Sequence, residues 1–513
     1  MSTLVLRARQ IAVHMRGDYG LLAIIALFAL LLPLATPRVY ATDEVQYYVY
    51  LRSLRFDGDL DFANDYRRFA ELNPRSGIEE SLLQPNRIRP ATGLYGNIAP
   101  VGAAIMWTPF FLLADALVHL ANLSGARIPA DGFSAPYIYA VCYASALYGL
   151  LGVLLSYRLA RRFASVFATT FASITIWLAS PLVFYMYIQM PFAHATGLFL
   201  TALFLTIWYE TREWGRGRAG EGRERGWRAW VALGLVGGLM TMTREQLGLF
   251  LLAPAIEALW RYARLLRRGD RSQSSLYRTF GRLALRHALF VAMLAVALIP
   301  QLLVYQILNG TPRPAGEVSG KLNWCSPHFI DTLIDFNPAP DFWCAGASDF
   351  TATFPPFSRG ALVWSPALGL GLIGLTLLWR RDRLLTVVLT ALFLAQTWIN
   401  GAFGTTWHLT GAFGFRRLIE CTPIFVVGLA LLNDQIIRRV GRSGVIVPAV
   451  LLIGWNAGLV LNATVFNAET NLRRGLTWPE VWRWQMEAPL RAFRLAGDLL
   501  FRRCRFFENQ SCE

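Results

Sequence analysis

The chain is short of charge. Only 16% of its 513 residues are Asp, Glu, Lys or Arg, where a soluble domain carries about 25%. With 55% hydrophobic residues and a mean hydropathy of +0.39, that shortage excludes a disordered chain and argues against an ordinary soluble enzyme. Lysine is almost missing: Lys321 stands alone, so 48 of the 49 basic residues are arginine. Cysteine is scarce as well. Six cysteines without a CxxC pair make no disulfide framework, and six histidines with no zinc spacing argue against a structural metal. Also missing are a GxxxxGK(S/T) phosphate loop, a GxGxxG after a strand, a GxSxG elbow and an HExxH pair. The chain therefore offers no cytosolic nucleotide site, and any energy source for a reaction has to come from the membrane. Internal repeats and low-complexity tracts are absent.

What is abundant is apolar runs. A membrane helix needs about 20 apolar residues. Candidate spans are 19–36, 136–157, 164–180, 194–210, 229–243, 247–261, 287–308, 360–379, 384–400, 418–436 and 444–462. The first has a basic start but is long for a signal peptide's core, so it reads as an uncleaved span. A further run, 99–120, is either a twelfth span or a juxtamembrane or re-entrant helix. The expected fold is an all-α polytopic membrane protein of about 11–12 transmembrane helices.

The net charge of +16 suggests nucleic acid at first, but its placement points elsewhere. Arginines cluster between the apolar runs: at 158–162, 211–230, 261–286, 380–383 and 438–442. That is the positive-inside pattern of a bacterial inner-membrane protein, with no nucleic-acid partner. All clusters fall inside if 99–120 does not cross, which is the preferred reading. The outer segments are then 37–98, 309–358 and 401–417, and residues 1–462 form the membrane domain. The tail 463–513 also comes out external, with an amphipathic helix over 487–503. Cys325 and Cys344 share one outer loop, Cys504 and Cys512 share the tail, and each pair can bridge in an oxidising compartment. Cys142 and Cys421 lie in apolar runs.

Several polar residues invite a chemical reading. Asp43 and Glu44 follow the first span directly. Tyr47, Leu51 and Leu54 recur at i, i+4 and i+7, so the next segment is helical, and its dipole favours carboxylates at its start. The pair is either a helix cap or a general base at the membrane surface. Asp57, Asp59 and Asp61 alternate as calcium-loop ligands do, but Phe62 and Arg68 stand where that loop needs Gly and Glu. A turn capped by Asp is the better reading. Arg87, Arg89, Tyr95 and Asn97, ahead of the 99–120 run, either anchor a helix or line a sugar pocket. Arg244 and Glu245 lie between two apolar runs, as a salt-bridged hairpin or as a guanidinium offered to a phosphate. Trp407, His408, Arg416 and Arg417, with Arg359, stand at outer span boundaries. There a lipid headgroup or a phosphate-linked substrate would balance the charge.

In this order the pieces resemble the bacterial membrane glycosyltransferases of the GT-C fold, in the protein-mannosyltransferase and aminoarabinose-transferase branch. The resemblance rests on DEVQYYVYLRSL, DGDLDFANDY, YGNIAPVGAAIMWTPFF, the hairpin arginine Arg244 and the late FGFRR. Relatives often carry Pro-His where Val45-Gln46 stands here, and His where Asn97 stands. The resemblance implies a polyprenyl-phosphate sugar donor facing outward in the membrane lipid. The acceptor would be a hydroxyl of a glycan, lipid or protein. Asp43 would be the general base of an inverting transfer, with Glu44 beside it. Arg244, Arg416 and Arg417, backed by Arg359 and His408, would hold the donor phosphate. Tyr47, Arg87, Arg89, Tyr95 and Asn97 would line the substrate pocket. A lipid phosphate leaves without a general acid, so the scheme needs neither metal nor cofactor. Rival classes are a transporter or flippase, which should show broken helices in paired halves, a lipid-linked polymerase or ligase, and a non-catalytic scaffold.

Overall fold

The computed structural model describes residues 18–212, 225–267, 273–316, 322, 324, 328–334, 360–403, 409, 411–465 and 478–502. Among these, secondary structure is helical apart from two isolated bridges, Ile88 with Tyr95 and Leu322 with Phe403. The elements used below are α1 (Tyr19–Leu31), α2 (Thr42–Arg52), α3 (Ala63–Leu72), α4 (Gly102–Leu123), α5 (Ala135–Ala160), α6 (Val166–Leu178), α7 (Ala193–Thr211) and α8 (Trp227–Thr243). They continue with α9 (Leu252–Arg267), α10 (Gln273–Asn309), α11 (Pro366–Leu375), α12 (Arg383–Gly401), α13 (Thr422–Val440), α14 (Ser443–Val465) and α15 (Trp478–Arg494).

Every one of the candidate spans is helical, and the chain is an all-α polytopic membrane protein. By length and composition six helices can cross a bilayer: α4, α5, Tyr277–Asn309 within α10, α12, Arg416–Val440 and α14. Tyr19–Leu34, Val166–Leu178 and Pro366–Arg380 are shorter apolar helices. Local chemistry sets several starts. Ser165 and Asp382 accept the backbone N–H groups of Ala168 and Leu385 at the starts of α6 and α12. Pro136, Pro366 and Pro423 stand in first turns, where their missing N–H costs nothing. The tightest crossing, α11 on α13, is made by glycines. A Cβ on Gly374 would lie 2.0 Å from the Gly428 carbonyl oxygen, so only small residues permit this approach.

The arginine clusters gather at one end of the bundle. Arg162 pairs with Glu210 at 2.6 Å, and Arg212 pairs with Asp382. Arg381 donates to the Phe163 carbonyl, and the Ser165 hydroxyl donates to Asp434. Arg225, fully buried, donates to Glu257, Thr211 and the Trp208 carbonyl and stacks on Trp230. The segment 37–98 lies at the opposite end, where α2 packs on α4 and α3 packs on α2.

Helix α4 packs against α2. Its approach is pinned there, since the Asn97 amide donates to the Gln46 carbonyl and the Tyr50 hydroxyl to the Ala99 carbonyl, both at 2.8 Å. Its far end returns to the same helix. Asn122 exchanges hydrogen bonds of 2.8 and 2.9 Å with Ile128, and the Tyr48 hydroxyl donates to the Gly132 carbonyl at 2.6 Å. Between these ends Asp115 pairs with Arg55 at 2.7 Å. Both ends of the 99–120 run are thus tied to the segment that carries α2, and the described arginines Arg162, Arg212, Arg225 and Arg381 lie toward the other end of the bundle.

The tail is helical where expected but starts earlier and is broken at Leu495. Helix begins at Trp478, runs to Arg494 and resumes at Ala496–Phe501, so 487–503 is helical over most of its length. The earlier start follows because Val481, Trp484 and Ala488 bury against the bundle and Gln485 donates to the Trp455 carbonyl of α14 at 2.7 Å. The cysteine pairs 325/344 and 504/512 lie outside the described residues. In a cysteine-free background, single-cysteine probes at Asn97 and Gly125 should react with an impermeant reagent from the same side of intact cells. A probe at Arg228 should react only after permeabilisation. Opposite sidedness of the first two probes would make α4 a span.

Candidate functional site

The site is built where the start of α2 meets the start of α7 and the segment before α13. Thr36 fixes the chain after α1 by bonding to the Tyr187 and Ile188 carbonyls. Glu44 then closes the first turn of α2: its Oε2 accepts from the backbone N–H groups of Tyr40 and Ala41 at 2.6 and 2.9 Å. Glu44 is buried, and burial pushes its carboxyl up to about 7 despite those two amides. Its neighbour Asp43 turns the other way, with a side chain 40% exposed, into a cavity of about 290 Å³. Gln46 and Tyr47 continue the same wall. Gln46 accepts from the Ile98 N–H at 3.0 Å, and the Tyr47 ring meets Trp107 edge-on.

The opposite wall comes from the 3-10 turn Arg416–Cys421, set up by Gly414 in the left-handed region at φ +57°. A Cβ there would also strike Pro181 and Trp364. Arg416 reaches across, Nη2 to Asp43 Oδ2 at 2.7 Å, with its guanidinium 4.7 Å above the Phe192 ring. The Arg417 guanidinium lies 4.6 Å over Phe403. Arg244 ends α8 in extended conformation and donates Nη1 to Glu420 Oε1 at 2.8 Å. His194 contacts both, with Nδ1 3.1 Å from Glu420 Oε1 and in close contact with Arg244. Three arginines thus surround one cavity that an acid faces from α2.

Of the residues singled out in the sequence, the structure brings Asp43, Tyr47, Arg244, Glu245, Arg416 and Arg417 to this cavity. It does not bring Glu44, which caps α2. Asn97 instead pins the approach to α4, while Arg87, Arg89 and Tyr95 belong to a small turn closed by the Ile88–Tyr95 bridge. Arg359 and His408 lie outside the described residues. Arg244 does not pair with its neighbour; Glu245 instead accepts from the Tyr305 hydroxyl. Of the DGDLD acids, two serve as turn caps: Asp59 accepts from Ser53 and the Asp61 N–H, and Asp61 from the Ala63 N–H, while Asp57 pairs with Arg52. No metal-binding group is found among the described residues.

Sequence reasoning missed His194 and Glu420. Glu420 carried a signal, an acid inside an apolar run, which is costly unless paired. His194 opens a long apolar helix, and nothing in its local pattern marks it.

Residues 135–269 match the family described as "Dolichyl-phosphate-mannose-protein mannosyltransferase", in agreement with the branch that the sequence resembles. This stretch carries His194 and Arg244. Among solved structures the chain is similar to ArnT from Cupriavidus metallidurans in the apo state, at 15% identity and a TM-score of 0.44, over 95% of this chain and 77% of that one. No curated protein matches.

The position of Glu44 yields a pH prediction. Its folded value of about 7 exceeds the ordinary 4.5, so the contribution of the protonated form is complete below pH 4.5 and lost as pH rises through 7. The change is at most about 3 kcal/mol. Glu44→Gln should fold and should lose less unfolding midpoint than wild type between pH 5 and 8. An unchanged pH slope would remove Glu44 as its source.

Proposed function

We propose that the protein is a membrane glycosyltransferase that moves a sugar from a polyprenyl-phosphate donor to an acceptor hydroxyl. The observation that carries this reading is the contact between Asp43 and Arg416, 2.7 Å, in a cavity that also holds Arg244 and Arg417. A base and a phosphate-binding cation thereby share one reaction space. The family match over 135–269 supports it from the other wall.

In this scheme Asp43 takes the proton of the acceptor hydroxyl. The freed oxygen attacks the anomeric carbon, and the carbon–oxygen bond to the lipid phosphate breaks on the opposite side, giving inversion. The leaving electron pair stays on the phosphate, where guanidinium groups stabilise the growing charge. Arg416 lies nearest to Asp43, and Arg417 and Arg244 extend the cationic wall. Tyr47 and Gln46 border the space beside the base. The cavity lies at the end of the bundle remote from the arginine clusters, so by the positive-inside rule it faces outward. The acceptor approaches from water and the donor from lipid.

Asp43→Asn keeps shape and loses basicity. It should reduce transfer from a synthetic polyprenyl-phosphate sugar by roughly 100- to 10,000-fold, the usual worth of a general base, with unchanged thermal stability. Arg417→Ala and Arg244→Ala should act chiefly on donor binding or leaving-group departure. Near wild-type turnover by purified Asp43→Asn would exclude the base.

A further inference from the structure

The Arg416–Cys421 turn carries two cavity arginines and, one helical turn beyond the first, an acid. Glu420 is 1% exposed and is the only carboxylate seen on Arg244 among the described residues. Its Oε1 lies 2.8 Å from Arg244 Nη1 and 3.1 Å from His194 Nδ1. The side chain thus joins three separately folded pieces: the end of α8, the start of α7 and the segment before α13. Space for it comes from Gly197, one turn along α7 from His194. A Cβ there would come within 3.2 Å of both Glu420 Cγ and Oε1. An acid within an apolar run is costly to bury unless it is paired, and Glu420 is buried behind a cavity that three arginines line.

We propose that Glu420 is a positioning residue that sets the charge of the anion site. It aims the Arg244 guanidinium at the cavity and cancels part of its field. The inference rests on the glycosyltransferase reading above. Transfer leaves a polyprenyl phosphate with more negative charge than the donor had, against a wall of three arginines. Glu245 also lines the cavity but is engaged by the Tyr305 hydroxyl, so without the carboxylate on Arg244 that wall would hold the product more tightly and slow its release. Asp43 cannot serve this purpose throughout, because it takes up a proton during the reaction. Glu420, shielded from solvent and from the acceptor, keeps the balance constant.

The test compares Glu420→Gln, nearly isosteric but uncharged, with Glu420→Asp, shorter but charged. Both are made in the full chain and read by binding of polyprenyl phosphate and by steady-state transfer. Glu420→Gln should bind polyprenyl phosphate roughly tenfold more tightly, as one uncancelled charge near the ligand implies, with donor KM and kcat falling together. Glu420→Asp should keep the product affinity within about threefold of wild type, because the charge remains. A packing role predicts the reverse order, with Asp the more disturbed, and that order would overturn the proposal. Unchanged or weaker binding by Glu420→Gln would overturn it too. Should Glu420→Gln fail to fold, a shifted product affinity in Glu420→Asp is the overturning result, and an unshifted one supports the proposal. A wild-type protein that binds no polyprenyl phosphate would remove the glycosyltransferase reading itself. Wild-type binding with an unresponsive Glu420→Gln would remove only this inference.

Discussion

The contact on which the cavity depends joins Asp43 to Arg416 across 373 positions of sequence. A charged group beside an apolar bundle is tolerated only when paired or turned to water. Each partner solves that problem for the other. Asp43 is held at the cavity mouth because Glu44, not Asp43, takes the backbone N–H groups at the start of α2. Arg416 is held because Phe192 lies beneath its guanidinium, and a cation over a ring face is attracted to it. The first external loop and the last third of the chain are fastened together at this point, and the position of the loop helices follows.

The same constraint operates at the other end of the bundle with a different outcome. There Arg225 is also buried, but Glu257, Thr211 and the Trp208 carbonyl use its donors inward. That cluster closes the ends of α7, α8 and α9 against one another and lines no described cavity. Similar ingredients thus give a structural clasp at one end and an open charged chamber at the other. The difference lies in where the acids point. Glu257 faces the helix interface, whereas Asp43 faces space.

Much of this was legible in the sequence because membranes simplify the code. Apolar run length marked the helices, and arginine clustering marked the face on which their ends gather. Helix α4 was ambiguous for a physical reason: its composition suits lipid, while the return of Asn122, Ile128 and Gly132 toward α2 ties its far end to the first loop. At the site, Asp43, Arg244, Arg416 and Arg417 could be found because each is a charge at the edge of an apolar run. Glu44 was grouped with Asp43 as its neighbour at the site, since successive residues in a sequence carry no sign of which one caps a helix. Arg87, Arg89, Tyr95 and Asn97 were drawn in by their place in the chain. Their hydrogen bonds are local or go to backbone, which composition does not reveal.

Charge pairing also explains why His194 and Glu420 escaped notice while mattering to the geometry. Each makes sense only through a partner far away in sequence, 226 positions apart for this pair. Removing one member of a buried pair leaves the other uncompensated, at a typical cost of about 3–5 kcal/mol. Such a penalty restrains drift in the relative placement of α7, α8 and the Arg416–Cys421 turn, because any movement that opens the contact between Arg244 and Glu420 exposes both charges to an apolar surrounding. A cavity between three helices needs that restraint more than a packed interface does, since no side chains fill its centre. The buried acid therefore supports the empty space as well as the charge around it.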